Sequence, residues 1–383
     1  MITDSPANNL LLLIFFLLLL HYLLFLKRIF RGLNSLQPNK NQYLPHEFVS
    51  VIIPFRNESG NILANLISIE SQLYPSEKYE VIYVDDSSED DSAEILRSNI
   101  KKSNVRVISV PEDFSTNAHK KRAIRYGIEN ARGDIIVTTD ADCAYSEEWL
   151  KSLLITFDSL TGFVSGPVEF EENSSAFSKF QKLEFAGLVL CGAGLIGSGH
   201  PTICNAANIA YRRRVFNEVD GFNDNMNLSS GDDELLMQKI SKHTDFKVKF
   251  CIDKNAIVKT EVNKNIGDFY QQRKRWASKG LFYSDKLLVL KLILIYSFYV
   301  SLVVQMFLGL FFHQFFLISF LISISLKIIL EFRILLKGKR IIFNDLQLKY
   351  LFVSEIIQIP YIILAGLVGA FGNYLWKSRK VER

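Results

Sequence analysis

Phe48-Val-Ser-Val-Ile-Ile-Pro54 is the stretch on which the reading of the fold turns. It is short, β-branched and closed by a proline, which marks a buried strand rather than a helix. Apolar residues then recur at helical spacing over 61–72, at Ile62, Leu63, Leu66, Ile67 and Ile69. Strand-like 81–84, a helix from about Ser92, strand-like 105–110, a helix near 117–130 and strand-like 135–139 continue the alternation. Strands separated by helices of this size pair in parallel through right-handed crossovers. The expected fold class is therefore α/β, a Rossmann-like, mostly parallel sheet with helices on both faces. Such sheets bind ligands beyond the carboxyl ends of their strands. Asp85 and Asp86 follow the strand at 81–84, and Asp140 and Asp142 follow the strand at 135–139, so both pairs fall at the binding edge.

Two carboxylates one residue apart, Asp140 and Asp142, can converge on one divalent cation, and magnesium or manganese prefers such oxygen ligands together with substrate phosphates. Aspartates are also common in turns, and the pair alone admits that reading. Asp85 and Asp86 can accept hydrogen bonds from a nucleobase N–H or ribose hydroxyls, while Ser88 or Asp90 behind them suits a helix cap. A third cluster, Asp232-Asp233-Glu234, precedes helical Leu235, Leu236 and Ile240. Acids at a helix N-terminus favour the macrodipole, and one aspartate there can instead serve as general base toward an acceptor hydroxyl. Gln271-Gln272-Arg273-Lys274-Arg275-Trp276 reads as a basic amphipathic helix at a membrane interface. Within it, Arg275 suits a diphosphate and Trp276 a sugar face. The glycine-rich, partly apolar region 175–200 reads as a buried helix followed by a loop, or as a helix against the membrane. Cys143, Cys191, Cys204 and Cys251 lie singly, without zinc-site spacing, and read as buried thiols.

Residues 10–26 are apolar except for His21 and Tyr22 and are just long enough to span a bilayer core. Asp4 precedes the run and Lys27, Arg28 and Arg31 follow it, the reverse of a signal peptide, which places the following chain in the cytosol by the positive-inside tendency. Further spans are expected near 287–310, 315–335 and 350–373, separated by His313-Gln314 and by a basic loop with Lys337, Lys339 and Arg340. Four spans would leave the tail cations Lys377, Arg379, Lys380 and Arg383 on the opposite face. Either the tail departs from the tendency, or the last segment, interrupted by Pro360, Gly366, Gly369 and Gly372, is re-entrant or interfacial. The net charge of +4 over 383 residues is accounted for by these basic loops and calls for no nucleic-acid partner.

Taken in order, Pro54-Phe-Arg-Asn57-Glu58, Val84-Asp85-Asp86-Ser87-Ser88, Asp140-Ala141-Asp142, Asn205-Ala-Ala-Asn208, Gly221-Phe222, Gly231-Asp232-Asp233 and Gln272-Arg-Lys-Arg275-Trp276 resemble the motif series of the family 2 glycosyltransferases over about residues 48–283. The resemblance implies an inverting enzyme with a GT-A fold. It gives Asp85 and Asp86 the nucleobase and ribose, and sets Pro54, Asn57 and Glu58 where the family meets the nucleotide. It assigns the metal, Mg or Mn, to Asp142, with Asp140 beside it on the donor, and the base role to Asp233. Gln272, Arg275 and Trp276, with Asp232, close the donor and acceptor site. Asp232 stands where the family has glutamate, and Arg125 where it often has asparagine. The implied activity is transfer of a sugar from a nucleotide sugar, a UDP-sugar, to a lipid or lipid-linked acceptor at the cytosolic face of the membrane. A processive polysaccharide synthase, acting on a saccharide acceptor, is the alternative within the family. A non-catalytic nucleotide-sugar-binding membrane scaffold is the alternative outside it. The expected organisation is an anchor at 1–30, the GT-A domain at 31–285 with an interfacial helix near 265–283, a membrane region at 286–376 and a basic tail at 377–383.

Overall fold

In the computed structural model, which describes residues 6–38, 45–112, 114, 119–223, 231, 233–278, 283, 285–371, 374–376 and 379–381, the deciding stretch is a strand buried at every position. A long helix, α1 (Pro6–Ser35), precedes this strand, β1 (Val49–Phe55). The alternation continues through α2 (Ile62–Glu70), β2 (Tyr79–Asp85), α3 (Ser92–Asn99), β3 (Val105–Ser109), α4 (His119–Glu129) and β4 (Ile135–Thr138). β1 pairs in parallel with β2 and β4, and β2 in parallel with β3, as the crossovers require.

The second half keeps the sheet but breaks the pattern. It comprises β5 (Cys143–Tyr145), α5 (Trp149–Leu154), β6 (Thr161–Ser165), β7 (Val168–Glu171), α6 (Ala176–Gly197), β8 (Ile209–Arg212), α7 (Arg213–Glu218), α8 (Glu234–His243), β9 (Lys247–Phe250) and β10 (Val258–Glu261). The seven-stranded order is β3-β2-β1-β4-β8-β6-β9, and β8 runs antiparallel to both of its neighbours. A smaller sheet, β5-β10-β7, stands beside it. The sheet is thus mostly parallel, with one reversed strand that strand periodicity alone does not announce.

Because side chains alternate along a strand, the two faces can be told apart from single contacts. A Cβ at Gly127 of α4 would lie 2.6 Å from Ile52 Cγ2 and 3.0 Å from Val84 Cγ2, so α4 rests on the Ile52/Val84 face. The neighbouring Tyr83 points the other way and donates to Asn65 of α2 at 2.7 Å. Helices therefore cover both faces. Glu80, although buried, accepts from Ser50 Oγ and from the Arg132 N–H, each at 2.7 Å, and these bonds with the nearby guanidinium groups of Arg106 and Arg132 lower its pKa against the opposing effect of burial.

The chain divides into two compact units. One holds both sheets and comprises residues 32–262 and 338–345; the other comprises 1–31, 263–337 and 346–383. Five helices among the described residues are long and apolar enough to cross a membrane by length and composition. One of the five is α6, and 78% of its apolar window is buried within the protein, so it is a core helix of the sheet-bearing unit rather than a span. The buried-helix reading of 175–200 therefore holds.

The second unit carries α9 (Ile266–Ala277), α10 (Lys286–Phe311), α11 (Gln314–Ile341), α12 (Leu351–Phe371) and a short hairpin of β11 (Tyr374–Trp376) and β12 (Arg379–Val381), together with most of α1. α12 runs unbroken through Pro360. Of the glycines that suggested an interruption, two serve packing instead: a Cβ at Gly366 would lie 2.5 Å from the Tyr296 ring, and one at Gly369 would lie 2.9 Å from Ala277 Cβ, while Gly372 lies outside the described residues. At the centre of this unit Lys327, fully buried, pairs with Glu355, with Glu331 at 2.9 Å and with Gln358 at 2.9 Å. Tyr22 hydrogen-bonds Glu331 and lies 3.1 Å from the Tyr299 hydroxyl, so the cluster draws on α1, α10, α11 and α12.

Candidate active site

The carboxyl ends of β2, β1 and β4 lie side by side, with Phe55 opposite Asp85 and Ile52 opposite Thr138. Asp85 and Asp86 on one flank and Asp140 and Asp142 on the other therefore stand at one edge of the sheet, as expected. Asp85 is the last residue of β2, one position further into the strand than the sequence indicates. Its Oδ1 accepts the Ser88 N–H at 2.9 Å, closing a turn in which Ser87 takes a positive φ of 61°. The Asp86 N–H continues the ladder to the Phe55 carbonyl at 2.9 Å.

Asp86 is buried and its charge is met by Arg122 of α4, which donates from Nε at 3.1 Å and also from Nη2. A carboxylate this deep requires such a partner. Arg56, also buried, donates to the Asp86 carbonyl at 2.9 Å and pairs with Glu89 at 2.7 Å. Neither arginine was singled out by the motifs; the signal for Arg122 was the basic run Lys120-Lys121-Arg122 at the start of α4.

The residues Pro54, Asn57 and Glu58 join the first two loops. Pro54 pairs with Val84. Asn57, at φ 52°, accepts the Glu89 N–H at 2.8 Å, and the Glu58 N–H donates to Ser92 Oγ at 2.8 Å. Asp90 accepts from the Ser59 and Ser92 N–H groups and from the Ser92 hydroxyl; against the opposing effect of burial, these bonds hold its carboxyl at about 2. Asp90 is thus tied into the loop junction, whereas the N-cap position of α3 is Asp91, so neither Ser88 nor Asp90 is the helix cap that the sequence suggests.

On the other flank Asp140 is half-buried and lies 2.7 Å from Lys120 Nζ, while Asp142 is exposed. Asn65 fixes the turn beneath them, donating to the Asp140 carbonyl at 3.2 Å and the Cys143 carbonyl at 2.7 Å. Burial first, then the nearby Asp142 and Asp140 charges, push the Cys143 thiol well above its ordinary range. Both carboxylates reach solvent and offer hard oxygen donors, which fits a magnesium or manganese ion completed by phosphate oxygens and water. Among the described residues no group of three or more His, Cys, Asp or Glu side chains gathers as a metal cage, so such an ion would draw on these two and on its substrate.

Asp233 is buried at the N-cap of α8, where Oδ1 accepts the Glu234 N–H at 2.7 Å and Oδ2 accepts the Ala206 N–H at 3.0 Å. It is therefore a helix cap whose carboxylate also ties the backbone at Ala206 to α8. Asp232 lies outside the described residues. The Asn205-Ala-Ala-Asn208 motif has a structural explanation. Asn205 accepts the Ala207 N–H at 2.9 Å, and fully buried Asn208 donates to the Pro167 and Ala256 carbonyls, each at 2.8 Å, while accepting from Trp149 Nε1 at 3.1 Å. Arg125 turns to Glu129 at 3.0 Å and Asn223 at 3.4 Å.

Gln272, Arg275 and Trp276 belong to α9, in the other unit. Gln272 accepts from Asn263 at 3.0 Å and from Arg273. Arg275 is half-buried, whereas Arg273 is the buried cation of the helix, with its guanidinium 4.3 Å from the Phe269 ring centre and 4.4 Å from that of Trp276. Trp276 thus has a cation–π partner that the motif did not indicate.

The family model described as glycosyl transferase family 2 matches residues 50–267. The chain is 38% identical over 126 residues to a glycosyltransferase, AglE, of Haloferax volcanii, covering 32% of this chain and 40% of that protein. It is 25% identical over 264 residues to the poly-beta-1,6-N-acetyl-D-glucosamine synthase of Staphylococcus epidermidis, covering 68% of this chain and 60% of the relative. It is 31% identical over 176 residues to the undecaprenyl-phosphate 4-deoxy-4-formamido-L-arabinose transferase of Pseudomonas fluorescens, covering 46% and 50%. The chain thus spans between 40% and 60% of the length of these relatives. A solved mannosyltransferase of Pyrobaculum calidifontis, in complex with GDP-Man and Mn2+, shares the fold at a TM-score of 0.58 and 19% identity, covering 94% of this chain and 98% of that one. With the paired aspartates at the carboxyl edge of a GT-A sheet and a family match over more than half of its length, the chain belongs to glycosyl transferase family 2 and carries helices long and apolar enough to cross a membrane.

Proposed function

We propose that the protein transfers a sugar from a nucleoside diphosphate sugar, UDP-linked, to a lipid or lipid-linked hydroxyl, with inversion at the anomeric carbon. The observation that carries this reading is the convergence of Asp85 and Asp86 with Asp140 and Asp142 on either side of β1, beside the cations Arg122 and Lys120 of α4. Acceptors of nucleobase and ribose hydrogens at one flank, and phosphate-compatible charge at the other, match the two ends of such a donor. Asp142 and Asp140 would hold a magnesium or manganese ion, which supplies charge neutralisation for the leaving diphosphate when bound.

In this reading the acceptor oxygen attacks C1 from the face opposite the diphosphate. The C1–O bond to phosphate breaks with its electron pair, and the hydroxyl proton passes to the Asp233 carboxylate. Asp85 and Asp86 orient the nucleoside, and Arg275 steadies the diphosphate charge with Gln272 and Trp276 alongside. The cations Lys27, Arg28 and Arg31 after the apolar part of α1 support a cytosolic catalytic unit. The membrane helices and the undecaprenyl-phosphate transferase likeness support a lipid-linked acceptor. The likeness to a polysaccharide synthase over 68% of this chain favours processive synthesis as the second reading.

The test is nucleoside diphosphate release by the membrane-embedded protein across a panel of nucleotide sugars, with total membrane lipid as acceptor and with or without manganese or magnesium. Metal-dependent release with one donor and a labelled lipid product is expected. Large, polar, non-extractable product would favour the synthase, and silence across the panel from folded protein would support a non-catalytic scaffold. Asp233→Asn is expected to lower turnover by a factor on the order of 10³, within the range of lost base catalysis, while nucleotide binding stays within about twofold. Binding that falls in step with turnover would remove Asp233 from the base role.

A further inference from the structure

One of the bonds that hold the Asp233 carboxylate comes from outside its own helix, from the Ala206 N–H to Oδ2 at 3.0 Å. Ala206 closes a segment that leaves the end of α6 and folds back along it. Gly199, at φ 77°, makes the reversal, and Gln238 of α8 donates to the Thr202 carbonyl at 2.7 Å. The return is so close that a Cβ at Gly192 of α6 would lie 2.7 Å from the Ile203 carbonyl oxygen. The path from helix to carboxylate is therefore short: Gly192, the backbone at 203–206, then Asp233.

α6 is itself braced at two places within the sheet-bearing unit. Near its end it crosses the last turn of α1, where a Cβ at Gly32 would lie 1.8 Å from the Gly194 carbonyl oxygen and Ser35 donates to the Gly197 carbonyl at 2.6 Å. Nearer its start, buried Lys182 bridges buried Glu169 at 3.2 Å and Asp345 at 2.7 Å, the latter in the segment that follows α11. Against the opposing effect of burial, these two carboxylates raise the Lys182 pKa, and the Lys182 contact lowers that of Asp345. Backbone crossings with no room for a methyl group and the buried Lys182–Glu169 pair, joined from the surface by Asp345, leave the helix little freedom to slide.

We infer that α6 is a positioning helix for the base: its packing at Gly192 sets the backbone that aims Asp233, so Gly192 and Gln238 govern turnover without touching either substrate. This rests on the assignment of Asp233 as base. Misplacing a catalytic group by about 1 Å lowers rate on the order of a hundredfold. Gly192→Ala pushes the Ile203 carbonyl while adding a good helix former, so the helix itself is not weakened. Gly187→Ala makes the same chemical change on the same helix where a Cβ meets nothing within 4 Å.

The experiment measures kcat, donor KM and nucleoside diphosphate affinity for full-length Gly192→Ala, Gly187→Ala and Gln238→Leu in membranes, beside Asp233→Asn. The expected result is a roughly tenfold to hundredfold loss of kcat in Gly192→Ala and a smaller loss in Gln238→Leu, with KM and affinity within about twofold and Gly187→Ala unchanged. Gln238→Leu answers the question alone if Gly192→Ala does not accumulate. Wild-type kcat in Gly192→Ala and Gln238→Leu with an inactive Asp233→Asn overturns the inference but leaves the base assignment standing. A fully active Asp233→Asn removes the base assignment instead. Loss of donor affinity parallel to kcat also overturns the inference, because α6 would then shape the whole site.

Discussion

At the scale of single residues, the site depends on which carboxylates are already engaged. Asp86 faces a buried guanidinium, Asp85 closes its own turn, Asp140 faces Lys120, and exposed Asp142 accepts from the Cys143 thiol at 3.6 Å. The motif Asp85-Asp86 therefore contains two buried aspartates, one tied into its own turn and one whose partner lies 36 positions along the chain. Replacing Arg122 by Met leaves the Asp86 carboxylate without that partner and loosens the 85–88 turn. We expect donor KM to rise about tenfold, the equivalent of one strong hydrogen bond, with kcat changed less than about threefold. Steady-state kinetics at varied donor would check this, and a fall in kcat at constant KM would move Arg122 into the chemistry.

At the scale of elements, the loop that follows β1 is zipped to the loop that carries Asp85 and Asp86. Asn57, Glu58 and Ser59 on the first loop bond to Glu89, Ser92 and Asp90 on the second. Their support is α4, which meets the sheet with a glycine. A methyl group at Gly127 would press on Ile52 and Val84, two fully buried side chains. Overpacking of this kind costs about 1–3 kcal/mol, against at most ~1 kcal/mol gained in helix propensity. Gly127→Ala should therefore lower the thermal midpoint of the purified protein, and an unchanged or raised midpoint would mean that α4 stands off the sheet.

At the scale of the whole molecule, the unit of apolar helices is tied by buried charge. In the unit of membrane helices Lys327 faces Glu331 and Glu355, with the hydroxyl of Tyr22 on Glu331. Ionisable groups among apolar helices persist only when paired. Lys327→Met leaves two carboxylates without their cation and should destabilise the protein by about 3–5 kcal/mol, whereas adding Glu355→Gln to it should recover a large part of that loss. Thermal unfolding in detergent, followed for both variants, would decide it; equal destabilisation of both would mean that the cluster contributes by shape rather than by charge. The sequence alone determined the βα alternation up to β4, the apolar segments at both ends and the ordered acidic motifs, because strand and helix periods, span length and motif spacing are local properties of the chain. It did not determine the reversed strand β8, the partnership of Arg122 with Asp86, the hub at Asn208, the packing role of Gly366 and Gly369, or the hydrogen bond from Ala206 to Asp233. Those join residues far apart in the chain, and only the tertiary structure decided them, because burial sets which distant groups must be paired and which backbones must meet without a side chain between them.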